Sequence, residues 1–348
     1  MVFQKKLLDW YDENRRSLPW RENKDPYRIW LSEIILQQTR TAQGLPYYES
    51  FISNYPTVEQ LAEASEHEIL KLWQGLGYYS RARNLHATAK EISNRYNGEF
   101  PSDFNRIKDL KGIGDYTASA IASICYDQEQ AVVDGNVYRI LSRIFGIDYP
   151  IDASGSHKLF KEKAQSLMRG ASPGDFNQAM MEFGALYCVP KNPNCNDCIF
   201  KNECSALAQD KVDILPNKVK KIKVRKRFFH FFVLIDSSKN TLVQKRKGKG
   251  IWQNLYQFPM IETSQKKKHF TDQQLQSLLL EHQIKADFEM EKWNENPIFH
   301  KLTHQHLEIN FWIVELKEND NLNTQIGNIQ DYPMPKVLQN FRDKFFIN

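Results

Sequence analysis

No apolar run in this chain approaches the about 20 residues needed to cross a bilayer. The charged, amphipathic start MVFQKKLLDWYDENRR lacks the short apolar core of a secretory signal. A membrane partner is therefore not expected, and the chain reads as cytosolic. Cysteine is scarce, five in 348 residues, which excludes a disulfide scaffold in that compartment. Neither sign of charge dominates: 47 Lys and Arg face 42 Asp and Glu, for a net +5. Where the charge sits then matters more than its sum. Internal repeats are absent. Through residue 205 there is also no sustained β-branched alternation, which argues against strands there.

What is present in residues 1–205 is one helical stripe after another. Apolar residues recur at helical spacing in FQKKLLDWY, YRIWLSEIILQQT, VEQLAEASEHEILKLW, ARNLHATAKEISNRY, YTASAIASICY, GNVYRILSRIFG, HKLFKEKAQSLM and FNQAMMEFGALYC. Gly, Pro and Asn punctuate them. The expectation is an all-α domain over 1–205. Residues 206–227 follow as a basic linker; its stretch KVDILPNKVKKIKVRKR holds eight Lys and Arg against one Asp. Strand-like runs then begin at RFFHFFVLID, TLVQKR, LYQFP and HLEINFWIVEL, with helical stretches at TDQQLQSLLLEH and PKVLQNFRDKFF. Residues 228–348 are expected to form a separate α+β domain.

Three features within the helical half carry chemistry. Glu33 stands among Ile29, Trp30, Leu31, Ile34, Ile35 and Leu36. It is either a helix edge meeting water or an acid kept protonated by apolar surroundings. LKGIGDYTASAIAS places Gly112 and Gly114 before a helix start, where free N–H groups suit a phosphate. Asp134, opening DGNVYRILSR, reads as a helix cap, a role compatible with catalysis because helix-end N–H groups favour the ionised carboxylate. A fourth feature is the cysteine loop 188–204. Cys188, Cys195, Cys198 and Cys204 are spaced C-x6-C-x2-C-x5-C and could enclose zinc or an iron–sulfur cluster. Lys191 and Lys201 would present positive charge from that loop. Cys125 reads as a buried small hydrophobe.

Taken together, WLSEIILQQT, GLGYYSRARNL, LKGIGDYTASAI, VVDGNVYRILSR, FNQAMMEFGALYC and the cysteine loop resemble the MutY-type adenine DNA glycosylases of the endonuclease III, helix-hairpin-helix superfamily. The hairpin departs from the usual L-P-G-x-G by carrying Lys111 in place of Pro. The resemblance implies a helix-hairpin-helix glycosylase domain with a [4Fe–4S] cluster on the four cysteines. It further implies a monofunctional base-excision repair enzyme that hydrolyses the glycosidic bond of adenine opposite 8-oxoguanine or guanine in duplex DNA. Glu33 would protonate the adenine ring, at N7 by family precedent, and Asp134 would stabilise the sugar cation, with Tyr116 and Asn136 close by. Bifunctional members carry a nucleophilic Lys where this chain has Tyr116, and Tyr cannot form a Schiff base. Arg16, Leu18, Trp20 and Arg21 would line the adenine pocket. Gln38, Thr39, Leu76 and Tyr78 would stand beside the orphaned base.

In the second half, KRKGKGIWQNLYQFPM resembles a Nudix strand region, but no R-E-x-x-E-E carboxylate helix follows, so a Mg²⁺-dependent pyrophosphatase is excluded on chemistry. The resemblance implies that this Nudix-like domain reads 8-oxoguanine, with Thr303 and His304 in place of the family's Ser-His turn. The enzyme is expected as a DNA-associated cytoplasmic monomer. Competing readings are an endonuclease III-like enzyme acting on oxidised pyrimidines and a non-catalytic iron–sulfur DNA-binding protein.

Overall fold

The computed structural model describes residues 2–219, 224–317 and 322–347. The chain divides into two compact units, Met1–Ala64 with Arg83–Lys220, and Ser65–Ala82 with Lys221–Asn348. The placing of Ser65–Ala82 with the second half is not foreshadowed by the composition change near residue 205.

Twelve helices are described up to residue 219, and no strand. They are α1 (Val2–Asn14), α2 (Pro26–Leu36), α3 (Thr41–Asn54), α4 (Val58–Glu63), α5 (Glu66–Leu72), α6 (Ser80–Tyr96), α7 (Phe104–Asp109), α8 (Asp115–Tyr126), α9 (Gly135–Phe145), α10 (Ser156–Met168), α11 (Pro173–Leu186) and α12 (Ser205–Ala208). Local signals account for their starts. Asp25 accepts from Tyr27 N at 2.9 Å, with Pro26 pre-set in the first turn of α2. The expected single stripe over 58–73 is two helices instead. Ser65 forms a capping box with Glu68 and restarts the chain as α5. Helix α3 escaped the periodicity because Gly44 and Pro46 interrupt it; a Cβ on Gly44 would meet Leu36 Cδ2 at 2.7 Å, so the missing side chain lets α3 lie close on α2. Seven residues of α2 are buried, among them Ile29, Trp30, Leu31, Ile34 and Ile35, while Glu33 is only partly so.

The basic segment 206–227 is less extended than its composition suggests. α12 reaches into it, the first strand takes its end, and residues 220–223 lie outside the described residues. Between them the chain is pinned to the helical unit. Arg143 Nε donates to Leu215 O at 3.1 Å, Ile151 N to Asn217 O at 3.0 Å, and Val219 N to the Asp152 carboxylate at 3.0 Å.

The second unit is built on β1 (Arg225–Ile235), β2 (Asn240–Thr241), β3 (Gln244–Lys245), β4 (Tyr256–Gln257), β5 (Met260–Thr263), β6 (Phe288–Lys292), β7 (Ile298–Lys301), β8 (Gln305–Leu316) and β9 (Thr324–Gln325). Strands β1 and β8 pair in parallel along their length, from Arg225 opposite Gln305 to Ile235 opposite Glu315. The sheet order is β6-β8-β1-β2-β9, with β5 added to β1 and β7 to β8; β3 and β4 form a separate hairpin. Both long strands carry consecutive apolar residues, Phe231–Ile235 and Phe311–Val314, because both faces are covered there. On one face Phe232, Leu234, Trp312 and Val314 pack with Leu275, Leu278 and Leu279 of α13 (Asp272–Glu281). On the other, Phe311 stacks on Phe341 of α14 (Lys336–Arg342) with centroids 3.9 Å apart. Strands β5, β6 and β7 carry no apolar run of their own and are recruited by pairing to β1 and β8.

Candidate active site

Five helices and the short segment before α2 converge on a cavity of about 190 Å³. Glu33 enters from α2, Tyr116 from the first turn of α8, and Asp134 and Asn136 from the start of α9. Arg16, Leu18, Trp20 and Arg21 line the same cavity, and so does Thr39, which was expected beside the orphaned base. Trp20 does both of the things expected of an aromatic here. It lines the cavity and packs edge-on to Tyr48 with centroids 5.1 Å apart.

The carboxyl groups are held very differently. Burial pushes the Glu33 acid up to about 7, against a hydrogen bond with Tyr116 and the charge of Arg21 and with help from the nearby Asp134. At neutral pH a large fraction of Glu33 therefore keeps its proton. Asp134 caps α9: Oδ1 accepts from Asn136 N at 2.9 Å and Val137 N at 2.8 Å, and Oδ2 from Asn136 Nδ2 at 2.8 Å. Arg139 donates to Asn136 Oδ1 at 2.9 Å and fixes that amide. The helix-end N–H groups expected to keep Asp134 ionised are outweighed. Burial moves its proton affinity upward overall, opposed by these hydrogen bonds and by Arg139. A cation forming beside it would reverse the balance, since opposite charge favours the ionised form. Tyr116 is held well above the usual phenol range by burial and by both carboxyl groups, and its hydroxyl donates to Met181 Sδ at 3.1 Å.

Four wall residues from α11, Gln178, Met181, Glu182 and Ala185, were not singled out from the sequence. The signal for Glu182 was the same as for Glu33, a lone carboxylate in an apolar helical stripe. Its side chain is 1 % exposed and takes Arg16 N at 2.9 Å, Arg16 Nε at 2.8 Å, Arg16 Nη2 at 2.7 Å and Arg21 Nη2 at 2.9 Å. Although burial works the other way, these guanidinium bonds hold its carboxyl down at about 2.

At the hairpin, Gly112 adopts φ +78°, and a Cβ there would strike Asn84 Cβ at 2.6 Å. Gly114 has an ordinary extended backbone and open space where its side chain would be, in front of the α8 N-terminus. Thr88 Oγ1 donates to Lys111 O at 2.6 Å and steadies the turn that lacks Pro. Gln38, exposed with φ +55°, belongs to the helical unit.

The second unit contains Leu76, Tyr78, Thr303 and His304. Leu76 is buried, at 6 % exposure. Tyr78 is half-exposed with φ +47°, and its hydroxyl shares a hydrogen bond of 2.7 Å with Thr303 Oγ1. His304 is exposed; its carbonyl accepts from Arg225 N at 2.9 Å. The segment 65–82 is tied in by Glu66, which meets Lys245 Nζ at 3.1 Å and Asn254 Nδ2 at 2.9 Å.

Residues 31–166 match the HhH-GPD superfamily of base excision DNA repair proteins, and residues 230–344 match the NUDIX domain. The chain is 35 % identical over 317 residues to an adenine DNA glycosylase of Buchnera aphidicola from Baizongia pistaciae, covering 90 % of this chain and 86 % of that one. A second Buchnera aphidicola adenine DNA glycosylase, from Schizaphis graminum, is 34 % identical over 99 % of both chains. The chain belongs to the adenine DNA glycosylase family. The rat adenine DNA glycosylase is 42 % identical over 62 % of this chain and 44 % of its own. Among solved structures, a thermostable thymine-DNA glycosylase superposes with TM-score 0.56 at 32 % identity, over 60 % of this chain and 96 % of that one. An endonuclease III–DNA complex, at 19 % identity and TM-score 0.51 over 60 % of this chain and 94 % of that one, supports the helical fold alone. The protein is a DNA glycosylase of base excision repair, and its second half is Nudix-like.

In this adenine DNA glycosylase the thiols of Cys188, Cys195, Cys198 and Cys204 share one neighbourhood, and each of the first three feels the charge of Cys204. Arg143 Nη1 points to Cys188 Sγ at 3.6 Å and Phe200 N to Cys198 Sγ at 3.4 Å. Among the described residues no three His, Cys, Asp or Glu side chains already share a closed ligating geometry. The all-thiol donor set and its N–H donors suit a thiophilic centre. Burial raises Cys188, Cys195 and Cys198, the last to about 11, so loading must expel protons.

Proposed function

We propose that this glycosylase excises adenine paired with 8-oxoguanine or guanine in duplex DNA, without strand cleavage of its own. The reading rests on one observation above others: Glu33 and Asp134 face a common cavity, the first strongly raised in proton affinity and the second held by three hydrogen bonds. Adenine must leave the stack to reach that cavity. Glu33 gives its proton to the ring, which turns the base into a neutral leaving group. As the glycosidic bond breaks, positive charge grows on the sugar, and the Asp134 carboxylate stabilises it. Water then adds to the anomeric carbon and loses its proton to Glu33, now the base. Tyr116 and Asn136 keep the two carboxyl groups in place. Tyr116 offers no amine for an imine with the sugar.

The domain roles follow: excision in 1–205, the linker at 206–227, and mispair reading in 228–348. Gly112, Gly114 and the α8 N-terminus suit a DNA phosphate. Gln38, Thr39, Leu76 and Tyr78 are assigned to the space beside the orphaned base, and Thr303 and His304 to the opposing 8-oxoguanine. Cys188, Cys195, Cys198 and Cys204 are the residues that would hold a [4Fe–4S] cluster, which would cross-link the loop 188–204 and keep its lysines presented to DNA. We place the enzyme in the cytoplasm as a monomer.

The test uses duplexes differing only in the base opposite adenine, with single-turnover excision followed by alkali cleavage. Faster excision opposite 8-oxoguanine and guanine than opposite thymine is expected, with strand breaks appearing only after alkali. Nicking without alkali, or excision indifferent to the opposing base, would overturn the reading. A purified protein that is brown, with iron and sulfide at four per chain, supports the cluster; a colourless zinc protein refutes it.

A further inference from the structure

The catalytic acid works only while it is protonated, yet the cavity that surrounds it carries two guanidinium groups. Glu33 is faced by Tyr116 and Cys125 from α8, Asp134 from the start of α9, Arg16 and Arg21 from the segment before α2, and Glu182 from α11. Arg21 favours the charged form of Glu33. Left alone, Arg16 and Arg21 would draw the proton off the acid. The geometry shows what restrains them. Glu182 is almost wholly enclosed and spends both oxygens on them, Oε1 on Arg16 and Oε2 on Arg16 and Arg21. Arg21 Nη1 is further tied to Arg16 O at 3.2 Å, so the three side chains form one clamp.

We propose that Glu182 is a positioning residue for the acid, a buried counter-ion that lets Arg16 and Arg21 shape the base pocket without ionising Glu33. This rests on the reading of Glu33 as the proton donor. A carboxylate this enclosed is costly to bury unless paired, and removing one partner of such a cluster exposes the others' charge to their surroundings. With Glu182 neutralised, the cavity keeps two cations against Asp134, and Glu33 is the nearest group that can relieve the excess by losing its proton.

The experiment is the pH profile of single-turnover adenine excision by the full-length enzyme. The wild type should lose rate as pH rises through about 7. Glu182→Gln should move that alkaline limb to lower pH by about one unit, leaving the acidic plateau nearer to wild type than the rate at pH 8. Glu182→Asp should return the limb toward wild type. Arg21→Gln, with Glu182 intact, should move it the other way, to higher pH; this variant serves also if Glu182→Gln does not fold. The double variant Glu182→Gln/Arg21→Gln should lie between the two singles. A rate lowered equally at every pH, with the limb unmoved in Glu182→Gln and Arg21→Gln, would mean that the clamp is merely structural and overturns the proposal. A wild-type profile with no alkaline limb would instead sink the acid role of Glu33, which separates the two failures.

Discussion

The two units of this adenine DNA glycosylase place the polar side chains of their candidate sites in opposite ways. In the helical unit, Glu33, Asp134 and Glu182 are drawn into a cavity wall, and the two that must stay charged take three and four hydrogen bonds. In the sheet unit, Tyr78, Thr303 and His304 stand at the surface, and one exposed hydroxyl pair joins the first two. The buried arrangement alters proton affinity, because low dielectric magnifies each charge. The exposed one leaves its side chains open to exchange water for a ligand. Breaking bonds needs the first environment, and reading a surface needs the second. Among the described residues the sheet unit also lacks the carboxylate-rich helix of a Mg²⁺-dependent hydrolase: α13 carries Asp272 and Glu281 at its two ends and Gln, Ser and Leu between.

Substitutions that test this contrast differ in scale. Glu33→Gln is expected to slow single-turnover excision by about 10²–10⁴-fold. The same change should stabilise the fold at alkaline pH. The unfolded carboxyl loses its proton near 4.5 and the folded one near 7, so wild-type stability falls as pH climbs between them. Melting temperature of Glu33→Gln should exceed that of wild type at pH 8 and match it near pH 4. Asp134→Asn separates cap from charge. Asn keeps the Oδ1 cap but sets an NH₂ where Oδ2 accepts from Asn136 Nδ2, so stability should fall by about 1–2 kcal/mol in urea titrations. Excision should drop by at least about 10²-fold, a loss like that of the acid; retained excision would remove the cation-stabilising role.

Phe341→Ala tests the other unit. It removes the ring stacked on Phe311 and should cost about 3–5 kcal/mol of stability by denaturant melts, with the protonation limb of excision at its wild-type position. A shifted limb would mean that the sheet unit tunes the acid, against the division drawn here. Tyr78→Phe is the mildest change. It deletes the hydroxyl bond to Thr303, an exposed pair worth no more than about 1 kcal/mol, and should leave melting nearly unchanged. Its effect belongs in the rate ratio between adenine opposite 8-oxoguanine and adenine opposite guanine. An unchanged ratio would dissociate that pair from mispair reading.

By itself the sequence determined the chemistry available. An acid in an apolar helix, an aspartate at a helix start, Tyr in place of a nucleophilic Lys and four clustered thiols are properties of residue identity and near spacing, and periodicity alone marks most helices and the two long strands. It could not show Glu182 clamping Arg16 and Arg21 across 166 and 161 residues, nor that burial lifts Asp134 despite its cap, nor that Ser65–Ala82 joins the sheet unit through Glu66. Those depend on which helices meet at one cavity and how much water they exclude. Proton affinity and long-range pairing are set by distance and dielectric, which exist only once the chain has folded.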